Sequence, residues 1–505
     1  MRANFPNMKT FLSTALALMV AAAVNGQTFS DVLRYSYFSP QGSARFAATG
    51  GALTPMGVDA TTLHTNPAGI GWNRYNMAQI TPGFSLTNTR ADLANSTEAA
   101  TVSDAAATFT LPSVGLIFAG PTRSVNWSTL NFGVSVTRLA DLNQQLAFAG
   151  RTPGSIIEGF AEVIDIGDSD PYGADLALPF LIEDPATNRV YSDFYDFDNQ
   201  TTRDEPIRRS GLYDRRGSIN EAAVGLGGNY RDKVLWGFSL GIPFFSFDEV
   251  YTYEEVDDQD VIPAFENAEF DQNLNNSGTG FNLKFGLTAL PTEKLRISAA
   301  VHTPTYWTID EQFSTTFGYF YTDNGSAEGG RELSPLLSQA YNLRTPWRFM
   351  AGVGALVGER GFVSVDADYT DYTSNEISFD DFATANTVSD AVNADVDAIL
   401  GSSIGLRAGG ELNLDPILVR AGVGYRQVPY AEYLNNEDEA IMTYSAGAGY
   451  SLGKFFVDLA AQYESYASFQ SPYQTLVVPG QTILTDRSRV SVLLTVGFRG
   501  FGTGF

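Results

Sequence analysis

The sequence predicts an all-β fold, a transmembrane antiparallel β-barrel of about 14 strands. Three observations predict it. Apolar side chains alternate with small or polar ones over about fourteen segments, the period of a strand with two unlike faces. Every second connection is short, whereas most of the others are long. Past the N-terminus, no stretch is continuously apolar over the ~18–20 residues that a spanning helix needs.

Composition agrees with that class. Of 505 residues, 44% are apolar and 13% aromatic, while only 17% are charged, against roughly 25% in an average soluble domain. The net charge of −26 removes any electrostatic basis for binding nucleic acid. No cysteine is present, which excludes disulfides, thiolate metal sites and cysteine nucleophiles. Two histidines, His64 and His302, exclude His-rich metal sites.

Residues 1–26 read as a secretory signal peptide. Arg2 and Lys9 precede an apolar run from Phe11 to Val24, and Asn25-Gly26-Gln27 follow. The alternating segments begin near residues 76, 107, 128, 219, 234, 280, 295, 347, 362, 402, 416, 441, 454 and 487. In one of them Trp236, Phe238, Leu240 and Ile242 alternate with Gly237, Ser239 and Gly241; in another Phe281, Phe285 and Leu287 alternate with Asn282, Lys284 and Gly286. The long connections are expected at 142–218, 251–278, 310–345, 371–401 and 427–440. Long loops at one end and short turns at the other are the layout of an outer-membrane barrel. These five loops hold 38 acidic and 9 basic residues, so their net −29 exceeds the −26 of the whole chain. The charge reads as solvation, with divalent bridging to lipopolysaccharide as the sharper alternative.

Tyrosines stand where strands meet loops: Tyr251 with Tyr253, Tyr369 with Tyr372, Tyr425 with Tyr430, Tyr463 with Tyr466. They are expected to form a girdle at headgroup depth. The chain ends on Phe505 after its last alternating strand, similar to the signal that the barrel-assembly machinery reads.

Residues 27–75 do not alternate. They contain Ser43-Ala44-Arg45-Phe46-Ala47-Ala48-Thr49-Gly50-Gly51-Ala52, then Asp59-Ala60, then Asn66-Pro67-Ala68-Gly69. This stretch resembles the amino-terminal plug of the FadL-type outer-membrane transporters of hydrophobic compounds (FadL/TodX-like). Tyr37-Phe38-Ser39-Pro40-Gln41-Gly42 looks like the Bacteroidota branch of that group, often labelled haemin receptor. The motif similarity covers about 40 residues. It implies an N-terminal plug (hatch) over 27–75, a barrel over 76–505 and passage of a small hydrophobic ligand such as a long-chain fatty acid or aromatic hydrocarbon. Physically, Asn66 before Pro67 favours a turn that ends one or two helical turns over 58–65. Gly50, Gly51 and Ala52 permit close backbone approach.

Catalysis is not expected. His302 has the parity of a lumen-facing residue but no nucleophile or carboxylate beside it in its own segment. His64 lies in the plug segment, where it could meet a ligand or a haem iron, yet it lacks sequence-adjacent partners. No phosphate loop, zinc motif or dinucleotide fingerprint occurs, so no cofactor is expected. Loop residues that could touch an apolar ligand are Phe265, Leu336, Leu337 and Tyr341. The rival readings are a partner-binding barrel, such as a secretion-system anchor or shuttle, and a haemin uptake receptor.

Overall fold

The computed structural model describes residues 29–98, 101–167, 169–185, 187, 189–379, 385–431, 440–473 and 481–500. The proposed signal peptide and the terminal Phe505 lie outside these residues. Fourteen antiparallel strands form the wall: β1 (Met77–Leu93), β2 (Val102–Phe118), β3 (Trp127–Asp141, continued by Gln144–Thr152), β4 (Ile207–Tyr230), β5 (Val234–Val256), β6 (Phe265–Ala289), β7 (Leu295–His302 and Tyr306–Asp323), β8 (Leu337–Arg344 and Arg348–Leu356), β9 (Gly361–Asp371 and Glu376–Phe379), β10 (Ser402–Leu414), β11 (Ile417–Arg426), β12 (Ile441–Leu452), β13 (Phe455–Gln470) and β14 (Ile483–Arg499). Each pairs with its neighbours in sequence. The ring closes where Met77 of β1 faces Arg499 of β14, a register that continues to Leu93 opposite Ile483. Along most of the ring, closure pairs both edges of each strand, so those backbone groups are satisfied without water.

Alternation sets the two faces. Phe285, Leu287, Ile297, Val353, Val365, Leu494 and Val496 point outward and are exposed, forming an apolar outer band. Facing inward at the same heights are Asn282, Lys284, Ser298, Asp366 and Thr495, all buried. Tyr369, Tyr425 and Tyr463 are exposed on the outer face, as a girdle requires.

Two expectations need correction. The stretches 251–278 and 310–345 are mostly strand: β5 runs to Val256, β6 begins at Phe265, and β7 reaches Asp323. Strands of 23 to 25 residues far exceed the ~9–11 that a bilayer needs. Beyond the apolar band the outward positions turn polar (Asn273, Asn275, Ser277) while aromatics turn inward, so the hydropathy signal disappears although the ladder continues. Tyr251, Tyr253 and Tyr372 are therefore not girdle residues. They are buried, the first two inside an extramembrane cap.

That cap is built by the segment after β3. Helix α3 (Ile156–Asp165) and the turn α4 (Ala174–Ala177) pack on the extended ends of β4–β7, enclosing Phe148, Phe194, Tyr251, Phe265, Phe317 and Tyr319. Ser155 caps α3 and also hydrogen-bonds Glu255 of β5, which accepts from the Ile156 amide at 3.1 Å and from the Tyr253 hydroxyl at 2.7 Å. Glu158, one turn into the helix, is buried beside it. Burial first, and then the Glu255 charge, push the Glu158 carboxyl up from 4.5 to about 8. The folded cap then holds a proton that the unfolded chain releases, so cap stability should fall as pH rises from near 4.5 towards 8. Glu158→Gln should remove that slope and stabilise the cap at pH ~8 by a few kcal/mol, with little effect below pH ~5. Hydrogen exchange of the 155–165 amides at the two pH values measures it; identical exchange in both proteins at alkaline pH would exclude the proton.

Candidate functional site

Inside the ring, the chain from α1 (Phe29–Ser36) and α2 (Ala44–Ala48) to Trp72 fills the lumen and is almost entirely buried. Two short 3-10 turns, Ala60–His64 and Pro67–Trp72, form its middle. Asp59 caps the first, accepting from the Thr61 amide at 2.8 Å, and also receives hydrogen bonds from Ser43 and Gln79. Asn66 caps the second. Its Oδ1 accepts from the Ala68 amide at 3.2 Å, and its Nδ2 donates to the Thr54 carbonyl at 2.9 Å and to Thr288 of β6 at 3.2 Å. Pro67 occupies the first helical position, where a missing N–H costs nothing. Sequence reasoning placed a turn here; the structure makes it the cap of a second turn that packs on the wall. Gly50 and Gly51 have positive φ of 64° and 79°. The wall makes room for this chain: a Cβ at Gly237 would strike the Pro67 backbone, and one at Gly422 would strike Thr49. Ala52, Ala60 and Gly69 are buried in the same way, the Gly69 carbonyl accepting from the Val58 amide at 3.3 Å.

Polar contacts lock the segment to the wall. The Ala52 carbonyl accepts from Ser364, and the Thr54 amide donates to Asp366 at 2.9 Å. Arg45 pairs with Glu411 at 3.0 Å, which also takes Arg420 at 2.7 Å. His64 makes the deepest contact. Its Nδ1 lies 2.7 Å from Glu221 and its Nε2 2.8 Å from Ser135, and Lys284 donates to the same Glu221 oxygen at 2.7 Å. Burial and the nearby Lys284 charge lower the tendency of the His64 ring to protonate, against the opposing pull of Glu221. Both ring nitrogens are engaged, which leaves none for a haem iron. His302 points inward and donates from Nε2 to the Thr65 carbonyl at 2.6 Å. It holds the N-terminal segment and borders a small polar cavity shared with Lys284 and Arg348.

Above this filled region lies an internal cavity of about 330 Å³. Its apolar lining includes Leu33, Phe46, Tyr430 and Ile441. Its charged lining holds Arg34, Arg407, Arg426, Arg487 and Arg489 together with the carboxylates Asp141 and Glu464. Three of the arginines have carboxylate partners: Arg34 pairs with Asp31, while Arg407 and Arg426 share the single carboxylate of Asp368, at 2.5 and 3.7 Å, with Arg348 at 3.1 Å. The remaining two, on β14, make their hydrogen bonds to neutral oxygens, although Arg489 also lies within the field of the Asp141 and Glu464 carboxylates. Arg487 bonds the Tyr466 hydroxyl and the Asn143 carbonyl at 3.4 Å; Arg489 bonds the Asp141 carbonyl at 3.2 Å. Sequence reasoning missed this basic cavity. Its only trace there was the Arg487-Ser488-Arg489 spacing, which puts both guanidiniums on one face.

The cavity adjoins a seam in the wall. β2 pairs with β3 only from Ser113 opposite Thr137 to Phe118 opposite Phe132. Beyond that, β3 shifts register at Arg138–Ala140 and pairs on with β4 alone, while β2 continues to pair with β1 up to Val102. Ala140, Asp141 and Leu142, at the bend, line the cavity. On the outside, Phe109 and Leu111 of β2 are exposed beside the seam.

The loop residues named from sequence are elsewhere. Phe265 is buried in the cap, Tyr341 is buried beneath Phe379, Leu337 is half-buried and Leu336 is exposed. None of the four lines the cavity.

No protein-family model matches the chain, and no curated protein matches it. Solved structures do. A FadL homologue of Pseudomonas aeruginosa superposes with a TM-score of 0.55 at 12% identity, covering 92% of this chain and 99% of that one. The toluene transporter TodX of P. putida superposes with a TM-score of 0.50 at 12% identity, covering 91% and 99%. The chain therefore has the fold of the FadL-type channels, a closed antiparallel barrel of fourteen strands.

Proposed function

We propose that this protein passes small hydrophobic molecules across the outer membrane of a Gram-negative bacterium, with residues 27–75 serving as the plug. The observation that carries this reading is the cavity: lined by apolar and basic side chains, bounded below by the N-terminal segment and bordered by a wall seam without ladder hydrogen bonds. A ligand caught at the outer side loses water against the apolar lining, at about 25 cal/mol per Å² buried. A filled lumen below favours sideways exit, between β2 and β3, over passage along the axis. Arg487 and Arg489 in the lining favour an apolar carboxylate over a plain hydrocarbon, because a carboxylate gains charge-assisted hydrogen bonds from them. The solved structures with this fold support transport as the class; one of them is a toluene transporter. Nothing in the site is arranged for catalysis, since the His64–Ser135 pair is sealed between plug and wall.

Mass spectrometry of ligand extracted from protein purified out of outer membranes tests the reading. An apolar carboxylate or hydrocarbon near one per chain is expected. A chain that reaches the outer membrane with an empty cavity and no uptake of any apolar ligand would favour the partner-binding reading, for which the structured cap would be the platform.

A further inference from the structure

Three neighbouring strands break at one height. β7 is interrupted between His302 and Tyr306, β8 between Arg344 and Arg348, and β9 between Asp371 and Glu376. Pro304 and Pro346 occupy two of the breaks, where the ladder loses a donor. On the outer surface this leaves a notch of about 600 Å³. Its lower side is apolar: Ile242, Phe281 and Tyr306, 50%, 53% and 46% exposed, with the last two rings stacked at 5.2 Å. Its upper rim is polar, with Thr308, Asn342 and an exposed ion pair of Arg344 with Glu376 at 2.5 Å. The notch sits at the loop-side border of the apolar band. Phe285 and Leu287 continue the band below it, while Asn275 and Asp310 are exposed above it.

We propose that this notch seats one phosphorylated glycolipid of the outer leaflet. The inference rests on the outer-membrane reading above, but not on what the cavity transports. A surface at this height meets acyl chains below and anionic headgroups above, and the notch is amphipathic in the same direction. One acyl chain lies against Ile242, Phe281 and Tyr306, where a regular strand wall would offer only a flat face. The phosphate meets Arg344, replacing or sharing it with Glu376; guanidinium–phosphate pairing is charge-assisted and directional.

Tightly bound glycolipid per chain, measured by mass spectrometry on protein washed in mild detergent, tests the proposal. Wild type should retain about one molecule. Thr308→Trp, which fills the notch, and Arg344→Ala, which removes the cation, should each lower retention about five-fold or more. Glu376→Ala, which frees Arg344, should hold or raise it. Val492→Trp, on the apolar band far from the notch in strand order, controls for general loss of annular lipid and should match wild type. Equal retention in all variants would overturn the proposal, as would equal loss in the Val492→Trp control, a fall in Glu376→Ala, or a transport ligand found in the notch. Uptake assays on the same variants separate this result from failure of the transport reading. A lipid-free notch with normal uptake refutes the seat alone.

Discussion

Glu221→Ala should release the N-terminal segment from the wall while leaving the barrel intact. Glu221 is fully buried on β4 and holds three groups: His64 and Lys284 at 2.7 Å each on one oxygen, and Asn282 at 2.8 Å on the other. Removing it strands a buried ammonium and an imidazole N–H. Such a loss costs about 3–5 kcal/mol, most of it the penalty of an uncompensated charge. The barrel's own stability comes from a closed ladder that does not involve this pair. The variant should therefore insert and remain heat-modifiable. Amides of residues 58–72 should exchange about 100- to 1000-fold or more faster, since each 1.4 kcal/mol is roughly a factor of ten. Combining Glu221→Leu with Lys284→Met removes both charges together and should restore most of the protection. Unchanged exchange in Glu221→Ala would show that the segment is held by its glycine-lined fit and not by this pair.

Replacing both Arg487 and Arg489 by alanine should separate ligands by charge. The two side chains are two residues apart on β14, face the cavity together and donate to neutral oxygens. An apolar carboxylate seated there would lose one or two charge-assisted hydrogen bonds, worth roughly 1.5–3 kcal/mol each. Its affinity should fall about 10- to 100-fold or more. A neutral aromatic hydrocarbon gains only apolar burial and should keep its affinity within about two-fold. Calorimetry on the purified protein with a long-chain carboxylate and with toluene reads both. Equal loss for the two ligands would mean that the arginines shape the cavity and select nothing. No loss for either would place the anionic group elsewhere.

Much of this architecture was legible in the chain alone. Alternation and short turns are local properties, so fourteen strands could be counted and the first and last were placed within about four residues of their positions. The Asn66-Pro67 step is equally local: proline and an amide side chain define a capped turn wherever they occur together. The place of Tyr369, Tyr425 and Tyr463 at strand–loop junctions was equally readable, whereas Tyr430 and Tyr466, named with them, line the cavity and not the outer face. Alternation failed beyond the apolar band, where Tyr251 and Tyr253 face an aromatic cap, because it reports contact with lipid and not the presence of a ladder. Other features required the closed ring. His64 and Glu221 are 157 residues apart and meet only because the N-terminal segment enters the lumen. Arg487 and Arg489 share a cavity with Arg34, more than 450 positions away in the chain. The seam between β2 and β3 exists because β3 bends towards β4, a choice of partner that neither strand's own residues record. Parity tells which side chains share a face; only closure of the sheet around a packed segment decides what that face meets, and charge, burial and ligand space are set by that meeting.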